Sequence, residues 1–330
     1  MARIIGGMTS SHIPAVGNAY HRKLFEDPYW KDFFDGYPPI HDWLAREKPD
    51  VAIVFYNDHG SNFFLDKMPT FAIGAAPEYH NEDEGWGIPT IGTFRGHPAL
   101  SWHVIDGVVA DGFDVCSCQE MVVDHGFTVP VQLFWGNDLQ AIRTIPVCIN
   151  TVQHPLPSPK RCLEFGRAIG RAIRSWGGDE KVVILGTGGL SHQLDGTRAG
   201  FINKPFDLMC MEKIVDRVDE LATLSIHDLV REAGAQGVEF ILWMAMRGAL
   251  APVFEHELAQ GIRRGRIVAV ADGSVGRRRL CVRRGRAVQE GSHTRSLARC
   301  AKGVNRARSS RQPRLCSSRR ARCSAQRPCS

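Results

Sequence analysis

Several chemistries are excluded by what this 330-residue sequence lacks. No apolar run approaches the ~18 residues that a membrane-crossing helix needs. The opening "MARIIGGMTSSH" has one Arg and no long apolar core before a cleavage-like site, so no secretory leader is read there and a cytoplasmic location is expected. Ten cysteines are present, but none stands in a CxxC pair. Free thiols in a reducing compartment are expected rather than a disulfide framework. Neither GxxxxGK[ST] nor GxGxxG occurs, which leaves the glycines of "GTGGLSH" a weak phosphate-loop signal.

Aromatic residues and acids are scarce in one place. Residues 261–330 contain no Phe, Tyr or Trp, and hold 19 Arg and one Lys against Asp272 and Glu290, a balance of +18. The formal net charge of +6 therefore hides an acidic body of 260 residues at −12. A stretch so poor in apolar groups buries too little surface to offset chain entropy. Residues 256–330 are expected to be a disordered Arg-rich tail. The break in composition resembles an out-of-frame reading or a truncated gene, starting between about 251 and 265. A natural nucleic-acid-binding tail is the rival, disfavoured because stacking aromatics and any known motif are missing.

The body, with hydrophobic content of 43% over the whole chain, reads as a soluble globular domain spanning residues 1–255. Short β-branched runs bounded by Gly, Pro or Asp predict strands at 2–9, 51–57, 70–75, 113–118, 145–150 and 181–187. Helices are predicted between and after them, at 97–112, 158–178, 225–234 and 237–250. Ser158 and Pro159 start the second of these, and Gly177 and Gly178 end it. This alternation implies an α/β fold, a central mixed sheet with helices on both faces.

Polar residues at strand ends are the candidate site. "VAIVFYNDHG" finishes a buried run on His59, "TSSHIP" puts His12 after the first strand, "VDHG" holds His125 and "LGTGGLSH" holds His192. In α/β folds ligands bind at such strand ends. Glu239 stands among Val238, Phe240, Ile241, Leu242 and Trp243. A buried free carboxylate there is costly, so it must be neutral, paired or bound to a cation. Two histidines and a carboxylate suit non-haem Fe(II) with open positions. Zinc accepts the same ligands, and a pairing of Glu239 with Arg247 is the plainer alternative. His21, His41, His80, His97, His103, His154, His227 and His256 have no comparable context and read as structural or surface residues.

Longer motifs weigh further. "GMTSSHIPAVGNA", "KPDVAIVFYNDH", "PTFAIGAAPEY", "DEGWG", "VDHGFTVP", "GTGGLSHQLDGTRAGFINKPFD" and "GVEFILWMAMRGAL" together resemble the class III (type II) extradiol ring-cleavage dioxygenases. These include the beta chain of protocatechuate 4,5-dioxygenase and the gallate and 3-O-methylgallate enzymes. The resemblance runs in order from Met1 to about Leu250. It implies that His12, His59 and Glu239 bind Fe(2+), that His192 is the catalytic acid/base, and that His125 contacts substrate or oxygen. Asn57 and Asp58 are expected to orient the His59 imidazole. The implied substrates are a carboxylated catechol and O2, with protocatechuate foremost and gallate or 3-O-methylgallate as alternatives. The implied partner is a small alpha chain in an α2β2 assembly, or a fused equivalent lost from this chain. No membrane partner is expected. A zinc hydrolase is disfavoured by the length of the match. A non-enzymatic interaction protein on the same fold is disfavoured by retention of the whole residue set. The family's further segment beyond the last apolar helix, near the substrate carboxylate, has no counterpart here.

Overall fold

The computed structural model describes residues 1–251 and, as backbone, the strand at 267–270. The strands are β1 (Arg3–Ser10), β2 (Val51–Tyr56), β3 (Phe71–Gly74), β4 (Glu78–Tyr79), β5 (Phe94–Arg95), β6 (Cys116–Cys118), β7 (Arg143–Ile149), β8 (Lys181–Thr187) and β9 (Ile267–Val270). The helices are α1 (Pro14–His21), α2 (Lys31–Phe34), α3 (Pro38–Glu47), α4 (Pro98–Ala110), α5 (His125–Trp135), α6 (Pro159–Ser175), α7 (Lys204–Asp216), α8 (Val218–Ala222), α9 (Ile226–Ala233) and α10 (Phe240–Ala249). Short 3-10 turns occur at Gly196–Arg198 and Gln236–Glu239.

Seven strands form one sheet in the order β6-β3-β7-β2-β8-β1-β9. From β7 to β9 every pairing is parallel, whereas β3 runs antiparallel to β7 and carries β6 parallel to itself. The sheet is therefore mixed, as expected. β4 and β5 form a separate two-stranded ribbon.

The central strands are apolar throughout because both faces are covered. All six residues of β2 are buried. Val51, Ile53 and Phe55 point into a core shared with α4, α6 and α10. Ala52, Val54 and Tyr56 point the other way, into a core shared with α1, α3 and α5. The side-chain period of two thus feeds two cores from one strand.

Helix starts follow local chemistry. The Ser158 hydroxyl accepts from the Arg161 N–H at 3.2 Å, and Ser225 and Asp228 close a capping box on α9. α10 is buried along its whole length and lies against α6. There the two helices meet at glycines. A Cβ on Gly166 would stand 1.9 Å from the Ala245 carbonyl oxygen, and one on Gly248 would stand 2.1 Å from that of Leu163.

Part of the stretch assigned to the tail is folded. Ile267–Val270 runs parallel to β1 at the sheet edge, with Gly7 opposite Ile267 and Ser10 opposite Val270. Its "IVAV" is β-branched and apolar, a local signal lost when composition is averaged over 70 residues of mostly Arg, Ser and Gly. The rest of residues 256–330, with the disorder expected of it, lies outside the described residues. Among the described residues no helix is long and apolar enough to cross a membrane.

Substituting Ala for Gly166 or for Gly248 should force α6 and α10 apart. Each variant is expected to lose about 1–3 kcal/mol, the usual cost of overpacking. Chemical denaturation midpoints measure it, and unchanged midpoints would contradict the close approach.

Candidate metal centre and acid–base site

Three parallel strands deliver the site at their carboxyl ends. His12 lies just past β1, His59 past β2, and His192 beyond the turn that follows β8. His125 is the first residue of α5, and Glu239 closes the 3-10 turn that leads into α10. All five line one cavity of about 1050 Å³.

The donors converge. Ring nitrogens of His12, His59 and His125 lie within 4.8 Å of one another. Glu239 Oε1 is 3.4 Å from His12 Nε2 and 3.9 Å from His59 Nε2. Its other oxygen, Oε2, accepts the Gly189 N–H at 2.9 Å and stands 3.8 Å from His192 Nε2. Gly188 permits this approach. It has φ +74, and a Cβ there would meet Glu239 Oε2 at 2.6 Å and His12 Cε1 at 2.9 Å.

Each imidazole is oriented through Nδ1. For His59, Nδ1 faces Asp124 Oδ2 at 2.9 Å. A carboxylate only accepts, so a proton sits on Nδ1, and Nε2 is the nitrogen turned toward Glu239. For His192, Nδ1 donates to the Leu190 carbonyl at 2.9 Å, which leaves Nε2 as the acceptor of the neutral ring. His125 Nδ1 donates to Glu84 at 2.7 Å. His12 Nδ1 pairs with the Thr187 hydroxyl at 3.1 Å. The rings of His59 and His125 stack 4.1 Å apart.

The electrostatics follow from burial and these partners. Burial holds the His12 imidazole below its ordinary value, so it is a neutral lone-pair donor. Burial opposes ionisation of Glu239, yet the surrounding imidazoles of His12, His59 and His192 hold its carboxyl well below the usual range. For His59, burial alone would lower the group, but the carboxylates of Asp124 and Glu239 outweigh it and raise the metal-free imidazole to about 10. Asp124 is likewise kept low by His59 against the effect of burial.

Two neutral or neutralisable imidazoles and an ionised carboxylate fit a divalent metal. Donors bound about 2.1 Å from one ion stand roughly 3.0–3.5 Å apart, close to the spacing from Glu239 to His12. Asn57 adds to the fit. Among the described residues its buried Oδ1 has no hydrogen-bond partner, while its Nδ2 lies 3.1 Å from His59 Nε2 and 3.4 Å from Glu239 Oε1.

One expectation is corrected. Asp58 does not orient the His59 ring. Its carboxylate accepts the backbone N–H groups of Gly60, Asn62 and Phe63 and so ties the loop after β2. Three backbone donors engage both of its oxygens, and the orienting carboxylate comes from Asp124, which also caps α5. "VDHG" carried that signal, an Asp ahead of a helix start. Thr187 and Glu84 carried none, because only folding brings them to His12 and His125.

Two imidazoles and one carboxylate at the carboxyl edge of a doubly flanked sheet could serve as the donor set of a metal centre with open positions. A family model described as the catalytic LigB subunit of aromatic ring-opening dioxygenase matches residues 6–264, and the chain belongs to that family. The match ends inside the window where the composition changes. A gallate dioxygenase of Pseudomonas putida is 34% identical over 176 residues, 53% of this chain and 52% of the relative. A 2,3-dihydroxyphenylpropionate/2,3-dihydroxicinnamic acid 1,2-dioxygenase of Photorhabdus laumondii is 38% identical over 183 residues, 56% of this chain and 54% of the relative. One of the same name from Rhodococcus jostii is 32% identical over 208 residues, 63% of this chain and 62% of the relative. The chain thus spans little more than half the length of these relatives.

The pair of His59 and Asp124 makes a pH prediction for the metal-free chain. The folded His59 group lies above its unfolded value, so its stabilisation is complete below about 6.5 and is lost as pH rises through about 10. Asp124 is depressed, so its share is present above about 4 and is lost as pH falls. Asp124→Asn should flatten both flanks of the stability curve. Urea unfolding of both chains across pH 3–10 tests this, and curves of identical shape would refute the pair.

Proposed function

We propose that this chain is an extradiol dioxygenase that inserts O2 into a carboxylated catechol and opens the ring beside the diol. One observation carries the reading. In a member of this family, His12, His59, Glu239, His125 and His192 all face a single cavity. His12, His59 and Glu239 would hold Fe(2+), and the chemistry is assigned to residues 1–255. A ferrous ion bound there supplies chelation for two adjacent hydroxyls and redox access to O2.

The protein's own groups handle protons and position. His192 presents Nε2 to the cavity with its Nδ1 proton engaged, and so serves as the base for a substrate hydroxyl. His125, stacked on His59, faces the reacting ring and supplies a second proton-transfer group. Leu190, Phe63 and Val238 line the walls and keep water from the reacting face.

Substrate choice rests on the rest of the cavity. Among the described residues its lining contains no Lys or Arg. Thr151, Gln193 and Gln236 are among the neutral polar groups of the lining that a carboxylate could meet. Protocatechuate and gallate are the first substrates to test, and the relatives' names add dihydroxyphenylpropionate. Phe64, Leu65, Trp86, Val152 and Leu194 line the same cavity with 51–73% of their surface exposed. A small alpha chain in an α2β2 assembly, or a fused equivalent, is proposed to cover this apolar rim in the cytoplasm.

Oxygen uptake by the anaerobically Fe(II)-loaded chain, run against protocatechuate, gallate, 3-O-methylgallate and dihydroxyphenylpropionate, tests the reading. Consumption with at least one catechol is expected. A folded, iron-loaded sample inert toward all of them would remove it.

The residue roles are tested by two variants. Glu239→Ala should lose iron on gel filtration. His192→Ala should keep iron while turnover falls about 10²-fold or more. Equal iron loss in both would place His192 among the ligands.

A further inference from the structure

The loop "NEDEGWG" at residues 81–87 joins β4 to β5 and contributes one group to the site. Glu84 grips the first residue of α5 with both carboxylate oxygens. Oε2 accepts the His125 N–H at 2.7 Å, and Oε1 accepts from His125 Nδ1, also at 2.7 Å. The Glu84 side chain is only 14% exposed and that of His125 only 4%, so water competes poorly for either bond. A carboxylate beside Nδ1 requires the ring proton there. Nε2 is then the lone-pair nitrogen of the neutral ring and belongs to the cavity that His125 lines.

The loop around Glu84 is built to hold it still. Asn81 ties its two ends together, donating to the Ile91 and Gly92 carbonyls at 2.9 and 3.1 Å and accepting the Ile91 N–H at 2.9 Å. The Asp83 carboxylate accepts the Gly85 N–H at 2.8 Å, and the Asn18 amide donates to the Trp86 carbonyl at 2.8 Å. Gly85 and Gly87 take φ of +77 and +74, turning the chain back on each side of Trp86.

We propose that Glu84 is a positioning residue, whose two-oxygen clamp fixes His125 in the Nδ1–H tautomer and aims Nε2 at substrate. Glu84 is not among the residues that line the cavity, whereas His125 is, so it acts through His125. The proposal rests on the reading of His125 as a proton-transfer group, but the tautomer is measured without turnover.

The experiment uses the full chain with 15N-labelled histidine, metal-free, and assigns His125 by comparison with His125→Gln. Two-bond 15N–1H spectra report which ring nitrogen carries the proton. The wild type should show a single Nδ1–H form. Glu84→Gln, nearly isosteric, presents an amide that both donates and accepts, and should give a mixture or the Nε2–H form. Glu84→Ala should release the ring. In the iron-loaded enzyme both variants should lose kcat by about 10- to 100-fold, as other orienting partners do, with KM and iron content within about twofold. If the wild-type ring is already mixed, or if both variants keep its Nδ1–H form, the proposal is overturned. A tautomer that switches while no catechol is consumed by the wild type would uphold the clamp and remove the catalytic reading instead.

Discussion

Burying the Glu239 carboxylate at the head of an almost wholly apolar helix is the constraint around which the site is assembled. An isolated charge there would cost far more than the fold has to spare. The chain answers with the Gly189 N–H on one oxygen and imidazoles around both. Those imidazoles come from distant parts of the sequence, so they meet only if β1, β2 and β8 are in register. That register is set by parallel pairing, with Val51 opposite Val182 and Ile4 opposite Val182 on the two sides of β8. The carboxylate, the sheet and the histidines are therefore one interdependent arrangement.

The second ring of groups divides the labour. Acceptors placed on Nδ1 determine what each Nε2 does. Asp124 and Thr187 serve the imidazoles beside Glu239, and the Leu190 carbonyl serves His192. A charged acceptor makes a ring a stronger donor to a cation, while a neutral carbonyl fixes the ring's proton on Nδ1 and the direction of Nε2. Similar side chains thus take different tasks from different neighbours.

How much of this was legible beforehand depended on the range of the signal. β2 and β8 are continuous apolar runs and were found to within a residue. Ser158–Pro159 and Ser225–Asp228 are local caps, and they placed α6 and α9. The five site residues stood out as polar groups at the ends of apolar runs, with the resemblance supplying their roles. α5 was missed because Pro130 stands inside it and Gly126 near its start, two residues that argue against a helix on propensity alone. Burial of ten of its residues outweighs that penalty. α1 and α3 begin at Pro14 and Pro38, which read as turns when no capping side chain precedes them. Thr187 opposite His12, like Glu84 opposite His125, is a tertiary pairing, and no periodicity announces it. Asp58 misled because it is adjacent to His59 in sequence, whereas ring orientation depends on adjacency in space.

The glycine contact between α6 and α10 has a consequence for how this enzyme family can change. Where helices touch through long side chains, a new rotamer absorbs a displacement. Here backbone faces backbone at Gly166 and Gly248, and a rigid joint of that kind has no slack. Any shift of α6 is passed undamped along α10 to Glu239 at its head. The loops over the cavity are free of that linkage and can diversify with the substrate. The seam behind the site cannot, so its glycines should behave in a mutational scan like residues of the centre itself, although none of them touches it.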